Sequence, residues 1–576
     1  MHDLVIRGGH VADGLGGPPR EADVAVDGGR IVAVGPVRRR GAEEIDATDL
    51  LVTPGFVDIH THYDGQATWD AELAPSSWHG VTTAVMGNCG VGFAPVRPQD
   101  RERLIELMEG VEDIPGTVLH EGIEWAWETF PQYLDALAAR RRDIDVCAQL
   151  PHGALRLYVM GERAARLEPA TDADAAEMRT LAAAAMRAGA IGFSTSRTLN
   201  HRTATGDPTP SLRATAHELE SIALGLADAG HGVLELISDF SPSPDAGAEF
   251  TLVRRLVEVS GRPLTLSLAQ SHRSPDGWRA LLARVERAAA DGLPIRAQVA
   301  PRPIGVLLGL QATTHPFTGH DAYRAACAGR PLAEQVRTMR DPAFRRAVLS
   351  EDPGRGRRPG HARVDYRRVF PLGDPPDYEP DRRTSLASTA EARSLDPAEL
   401  AYDLLLEDGG RNFLFAPFAN YAGFDLDACR EMLLHPDTVV GLGDGGAHVG
   451  TISDASFPTY LLSHWGRDRA RGRLDLGWLV AQQTSGPART VGLHDRGVVA
   501  PGLRADLNVI DMDRLRCERP TMAYDLPGGG KRLLQRATGY AATIVAGQVI
   551  ARDGSPTGAR PGRLVRGPQP ALPGGS

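Results

Sequence analysis

The chain has 576 residues, 42% of them hydrophobic and 24% charged, with a net charge of -10. That length exceeds one simple core and predicts two or three domains. The acidic balance, with no basic stripe interleaved with aromatics, excludes a nucleic-acid partner. No apolar run of about 18 residues occurs, which excludes a helical membrane span.

The start, Met1-His2-Asp3-Leu4-Val5-Ile6, lacks the charged-then-apolar pattern of a secretory signal. The five cysteines, Cys89, Cys147, Cys327, Cys429 and Cys517, are odd in number and scattered. They argue against a disulfide framework and predict a cytoplasmic protein.

Residues 1–53 alternate in short β-like runs such as Leu4–Ile6, Asp23–Val26 and Arg30–Val34, punctuated by turns such as Asp27-Gly28-Gly29. Pro54-Gly55-Phe56-Val57-Asp58-Ile59 then leads into His60-Thr61-His62. Residues i and i+2 of a strand point to one side, so His60 and His62 can reach one metal ion from a single strand end.

Further strands are predicted at Thr82–Met86, Asp145–Leu150, Ile191–Thr195, Val233–Ser238, Leu264–Ala269, Ile295–Val299 and Val439–Leu442. Ala-rich helical stretches such as Asp172–Ala188 and Gly277–Gly292 separate several of them. With the His-x-His strand, this is the strand count of a (β/α)8 TIM-like barrel over 54–490. The pattern lapses between about 315 and 412, including Asp352-Pro353-Gly354-Arg355-Gly356-Arg357-Arg358-Pro359-Gly360, and predicts a barrel insertion or lid.

The β texture returns at Ala505–Asp511 and Ala542–Ile550, so 1–53 and 491–555 are expected to form one small β-sandwich domain. The Pro/Gly-rich end, 556–576, is expected to be a disordered tail.

Barrel enzymes carry their sites at the C-terminal strand ends. There the sequence places His60 and His62, then Gly87-Asn88-Cys89-Gly90, Pro151-His152 and Gly443-Asp444-Gly445-Gly446-Ala447-His448. Zinc takes imidazole, thiolate and carboxylate ligands, and a catalytic site keeps a position for water. Asp444 can accept the water proton and pass it to a leaving nitrogen. Taken singly, each residue has a plainer reading. Cys89 also suits a small buried apolar position, and Asp444 a turn cap. His152 and His448 suit either substrate contact or support of the ligands.

Several stretches together resemble the N-acyl-D-amino-acid deacylase (D-aminoacylase) branch of the amidohydrolase superfamily. They are Pro54–Asp64, Gly87–Gly90, Val111-Glu112-Asp113-Ile114-Pro115, Gly192–Ser196 and Asp495–Leu507. The resemblance implies a barrel with a β-sandwich, Zn²⁺, and hydrolysis of a linear N-acyl C–N bond of a small molecule. It carries metal ligation to His60, His62 and Cys89, and the catalytic base to Asp444, which binds or faces the metal.

Lys531 is the only lysine and lies beyond the barrel. The carboxylated lysine that bridges two metals in dihydroorotase- and hydantoinase-like relatives is therefore absent, and Cys89 takes the bridging place.

The sequence also departs from that branch. Leu236 and Leu268 align with histidine ligands at the ends of strands five and six, so one zinc per chain is expected, with His272 as a possible extra ligand. No arginine occupies Ser453–Thr459, where the branch clamps a substrate carboxylate. Arg302, Arg197 and His201 are the alternatives, with His152 and His448 as further substrate contacts. A cyclic amide or another acylated molecule, and a barrel that only binds ligand, are the rival readings. Self-association into a homo-oligomer is compatible with the sequence.

Overall fold

The computed structural model describes residues 1–240, 246–351 and 364–571. The Asp352–Gly360 stretch assigned to the insertion, and 572–576 of the predicted tail, lie outside the described residues.

Eight parallel strands form the central sheet: β1 (Phe56–Asp58), β2 (Val81–Met86), β3 (Asp145–Pro151), β4 (Gly192–Arg197), β5 (Val233–Ser238), β6 (Leu264–Ser267), β7 (Ile295–Val299) and β8 (Thr438–Val440). Neighbours in sequence are neighbours in the sheet. The strands are near-continuous apolar runs because helices cover their outer side.

Closure of the barrel falls just past the ends of β1 and β8. There His62 N–H donates to Gly445 O at 2.7 Å and Asp444 N–H donates to His60 O at 2.9 Å. The backbone that seals the barrel thus also sets three candidate site residues side by side.

The helices start and stop where their end residues dictate. Helix Asp172–Ala188 begins at a reciprocal cap in which Thr171 accepts from Asp174 N–H, and it stops at Gly189, whose φ of +114° suits glycine. Helix Ala216–Ala229 begins at a one-way cap, Thr215 accepting from Glu218 N–H, and likewise stops at a glycine, Gly230.

Both chain ends contribute to one nine-stranded sheet. Leu51–Pro54 joins its halves, running parallel to His2–Val11 and antiparallel to Leu507–Ile510. Leu4, Ile6, Val24, Val52, Leu507, Val509 and Ile544 make its core.

The insertion is wider than 315–412. It begins directly after β7 with the strand Ile304–Leu308, which pairs with Leu414–Ala419, and it carries helices between Asp321 and Leu405 around Phe317, Tyr323, Met339 and Tyr402.

The tail is a second correction. Gly562 N–H donates to Arg142 O, Arg563 N–H to Asp145 Oδ1 at 2.9 Å, and Val565 N–H to Val146 O at 2.8 Å. Leu564 and Val565 are buried. A segment without periodicity is ordered here because its backbone pairs with the start of β3.

Candidate metal centre

His60, His62 and Cys89 each offer a ligand atom, and these atoms lie within 4.8 Å of one another, all buried. His60 Nε2 is 3.4 Å from Cys89 Sγ and 3.4 Å from Asp444 Oδ1. His62 Nε2 is 3.6 Å from the same Asp444 oxygen. Two imidazoles and a thiol therefore converge, with the Asp444 carboxylate against both imidazoles, a donor set that fits a zinc-type ion.

The surroundings prepare these donors. His60 Nδ1 bonds Gln298 Oε1 at 2.9 Å, and Gln298 Nε2 donates to Thr265 Oγ1 at 3.0 Å, which fixes the amide's orientation. His60 Nδ1 therefore holds the proton and Nε2 is left with its lone pair. His62 Nδ1 stands 3.3 Å from Glu112 Oε1, within reach although not aligned as a hydrogen bond. Asp58 Oδ1 accepts from His60 N–H at 3.0 Å.

Cys89 sits at φ +55°, a turn held from two sides: Glu235 Oε2 accepts from Cys89 N–H at 3.0 Å and Ser194 Oγ from Gly90 N–H at 2.9 Å. This left-handed backbone is uncommon for a residue with a side chain and marks a shaped loop.

Charge follows the same plan. Burial pushes His62 down to about 4, only partly offset by Asp444, so its ring is neutral and free to ligate. Burial alone would raise Asp444, but His62, His60 and His448 outweigh it and hold the carboxyl well below the usual range. Burial, then Glu235, Glu112 and Asp444, push the Cys89 thiol well up. Only a cation at this point turns such a cysteine into a thiolate.

The other expected site residues divide. His201 bonds Ser196 Oγ through Nδ1 at 3.0 Å, and burial, helped by His448, His62 and His60 and opposed by Asp444, lowers its ring to about 3. His448, at φ +50°, places Nε2 3.7 Å from Glu112 Oε2. Both stand at the mouth of the centre.

Three residues do not act as expected. His152 is fully buried, with Nδ1 on Thr195 Oγ1 at 2.8 Å and Nε2 on Glu218 Oε1 at 2.9 Å, so neither nitrogen is left for substrate. Arg197 is paired with Glu249 at 2.6 Å. Arg302 is 1% exposed, donates to Ser453 O, lies 3.0 Å from Asp454 Oδ1 as an ion pair not aligned as a hydrogen bond, and stacks 3.7 Å over Tyr378.

The leucine assignment is corrected as well. In β5 the residue that turns to the centre is Glu235, so its neighbours Leu234 and Leu236 point to the opposite face. In β6, Thr265 faces inward against Gln298, and Leu268, buried in the core, lies past the strand's end. His272 is not brought to the centre; its burial and Arg368 lower it to about 4.

Gln298, Glu235 and Glu112 were not anticipated from sequence. The first two are buried polar residues inside largely apolar strands, a signal in itself because buried polar groups need a reason.

A parallel barrel with two histidines, a cysteine and an aspartate at the C-terminal strand ends defines a metal-dependent hydrolase. A model described as the amidohydrolase family matches residues 43–551, and the chain belongs to that family. It is a hydrolase of C–N bonds other than peptide bonds.

Its relatives include the N-acyl-D-glutamate deacylase of Alcaligenes xylosoxydans xylosoxydans, 28% identical over 98% of this chain and 96% of that protein. The D-aminoacylase of the same organism is 35% identical, over 40% of this chain and 43% of its own. Among solved structures, an N-acyl-D-glutamate deacylase from Bordetella bronchiseptica, complexed with zinc and a phosphonate inhibitor, superposes with a TM-score of 0.63 at 25% identity, covering 98% of this chain and 99% of that one. A D-aminoacylase shares the fold, with a TM-score of 0.65 at 24% identity over 98% of this chain and 100% of that one.

Proposed function

We propose that this chain is a zinc-dependent N-acyl-D-amino-acid deacylase-like amidohydrolase acting on a linear small-molecule amide. The observation that carries the reading is Asp444: one carboxylate oxygen lies 3.4 Å from His60 Nε2 and 3.6 Å from His62 Nε2. His60, His62 and Cys89 would hold a zinc ion, with Asp444 facing it, and such an ion would polarise the acyl oxygen and acidify a water molecule.

Asp444 Oδ takes the proton of that water and delivers it to the amide nitrogen as the C–N bond breaks. Water adds to the acyl carbon, and the products are a carboxylic acid and an amine. His201 and His448, at the mouth, contact the substrate. Gln298 keeps the His60 ring in place, and Glu112 stands 3.3 Å from the His62 ring.

The pairing of Arg197 with Glu249 and of Arg302 with Asp454 removes both as free clamps for a substrate carboxylate. That favours, as a second reading, a substrate held by its acyl part, a cyclic amide included. The four converging donors speak against a barrel that only binds ligand.

The five cysteines are buried and unpaired, which supports a reducing compartment such as the cytoplasm. No helix among the described residues is long and apolar enough to cross a membrane.

The test is metal content and turnover together. His60→Ala should lose zinc and amidase activity over a panel of N-acyl-D-amino acids and cyclic amides. Stoichiometric zinc in the unaltered protein with no turnover across that panel would sink the catalytic reading.

A further inference from the structure

Asn88, the residue before Cys89, is 0% exposed. Its Nδ2 donates to Thr61 O at 3.0 Å and to Val85 O at 2.9 Å, and its Oδ1 accepts from Gln149 Nε2 at 2.7 Å. Backbone carbonyls can only accept, so the amide nitrogen must face them and the amide oxygen must face Gln149. One side chain thus joins three strands at their site ends: Thr61 follows β1, Val85 lies in β2 and Gln149 in β3.

The Thr61 carbonyl belongs to the peptide that joins Thr61 to His62, and among the described residues Asn88 alone bonds it. Thr61 is fixed from other sides as well. Its N–H and Oγ1 donate to Val85 O at 3.0 and 2.8 Å, and its backbone bridges Gly445, the neighbour of Asp444. The turn that carries Cys89 needs such support. Gly87, Cys89 and Gly90 have φ of +82°, +55° and +69°, and a left-handed residue other than glycine persists only where its surroundings over-determine it. Glu235 and Ser194 hold the turn from β5 and β4, and Asp64 Oδ2 accepts from Gly87 N–H at 3.0 Å. Asn88 is the member of this set that reaches the peptide between the two histidines.

We propose that Asn88 is a positioning residue for the metal centre: by bonding Thr61 O it fixes where the Cys89 thiol stands relative to the His60 and His62 rings. It acts through the turn and is not itself a ligand. His60 Nε2 and Cys89 Sγ are 3.4 Å apart, and a displacement beyond ~0.5 Å takes a site out of its working geometry.

The inference rests on the reading of His60, His62 and Cys89 as a metal centre, and the experiment keeps the two apart. Metal-free full-length protein is titrated with Co²⁺. Calorimetry gives the affinity, and the thiolate-to-cobalt charge-transfer band reports whether Cys89 reaches the ion. The melting temperature of each metal-free protein is measured alongside. The unaltered protein should show the band and Cys89→Ala should lose it.

Asn88→Ala should bind cobalt ~10–100-fold more weakly, with a weakened charge-transfer band at saturation. Gln149→Leu removes the donor behind the Asn88 oxygen but leaves both Asn88 donors, so it should shift in the same direction by less. Cobalt bound by Asn88→Ala with the affinity and band of the unaltered protein overturns the proposal, even where the melting temperature falls, because Asn88 then only stabilises the fold. Where Asn88→Ala does not fold, the same result in Gln149→Leu overturns it. An unaltered protein that binds no cobalt, or a band that survives in Cys89→Ala, overturns the metal-centre reading instead.

Discussion

His60 Nδ1 and Gln298 Oε1 lie 2.9 Å apart, on opposite sides of the barrel sequence yet in one buried bond. The contact decides which nitrogen of His60 faces Cys89 and Asp444. Because Gln298 is itself held by Thr265, its amide cannot follow the imidazole, and turning the ring breaks the bond between them. Strand β7, which offers no ligand, thereby governs ligation from strand β1.

Removing that bond should weaken metal binding without touching a ligand. Gln298→Ala is expected to lower zinc affinity by ~10–100-fold, the usual effect of losing a partner behind a ligating histidine. Gln298→Glu keeps an acceptor at the same place and should lose less. Competition with a chelator measures both, and equal affinities in all three proteins would show that the bond does not control His60.

Asp444 separates proton transfer from ligation. Asp444→Asn keeps the shape but cannot carry a proton, and kcat should fall by ~10²–10⁴-fold. Zinc should remain, since His60, His62 and Cys89 still converge. Loss of zinc along with activity would recast Asp444 as a ligand first.

Much of this architecture was legible in the residues. The barrel strands announced themselves because a strand covered on both sides must be a short apolar run. His60, His62, Cys89 and Asp444 announced themselves because such groups at strand ends have few structural uses. The supporting groups were harder. Glu235 and Gln298 look like interruptions of apolar strands, and only alternation along each strand tells which of two neighbours faces the centre. Leu236 and Glu235 differ by one position, and a shift of one residue reverses the face. Arg302 and Arg197 were indistinguishable from substrate clamps until their partners, Asp454 and Glu249, came close in space. The tail's order depends wholly on β3, which no local pattern in 556–576 records.

The motif Asp495–Leu507 proves to be a tie between the two domains. Arg496, 3% exposed, bonds Asp145 at the start of β3 at 2.8 Å and Asp495 at 2.9 Å, while Arg504 bonds Asp145 and Asp506 at 3.0 Å. Removing one partner leaves buried charges unpaired, and Arg496→Met should destabilise the protein by ~3–5 kcal/mol. Urea unfolding followed at both domains measures the loss. A change below about 1 kcal/mol would mean the network relaxes into water.

A second tie predicts a pH window. Glu379 bonds His464 Nε2 at 2.7 Å and Arg469 at 2.9 and 3.0 Å, joining the insertion to the segment Leu461–Asp468. Burial would raise its carboxyl, but His464 and Arg469 outweigh that and bring it from 4.5 to about 2. A carboxyl lowered on folding binds fewer protons in the folded state than in the unfolded one. Its stabilisation is therefore complete above pH 4.5 and is lost as the pH falls from 4.5 towards 2. Glu379→Gln lacks this contribution at every pH. The melting temperatures of the metal-free unaltered and Glu379→Gln proteins should differ most at neutral pH and converge on acidification through that window, metal-free protein being used so that ligand protonation cancels. A gap that stays constant from neutral to strongly acidic pH would show that the charge of Glu379 does not hold the insertion in place.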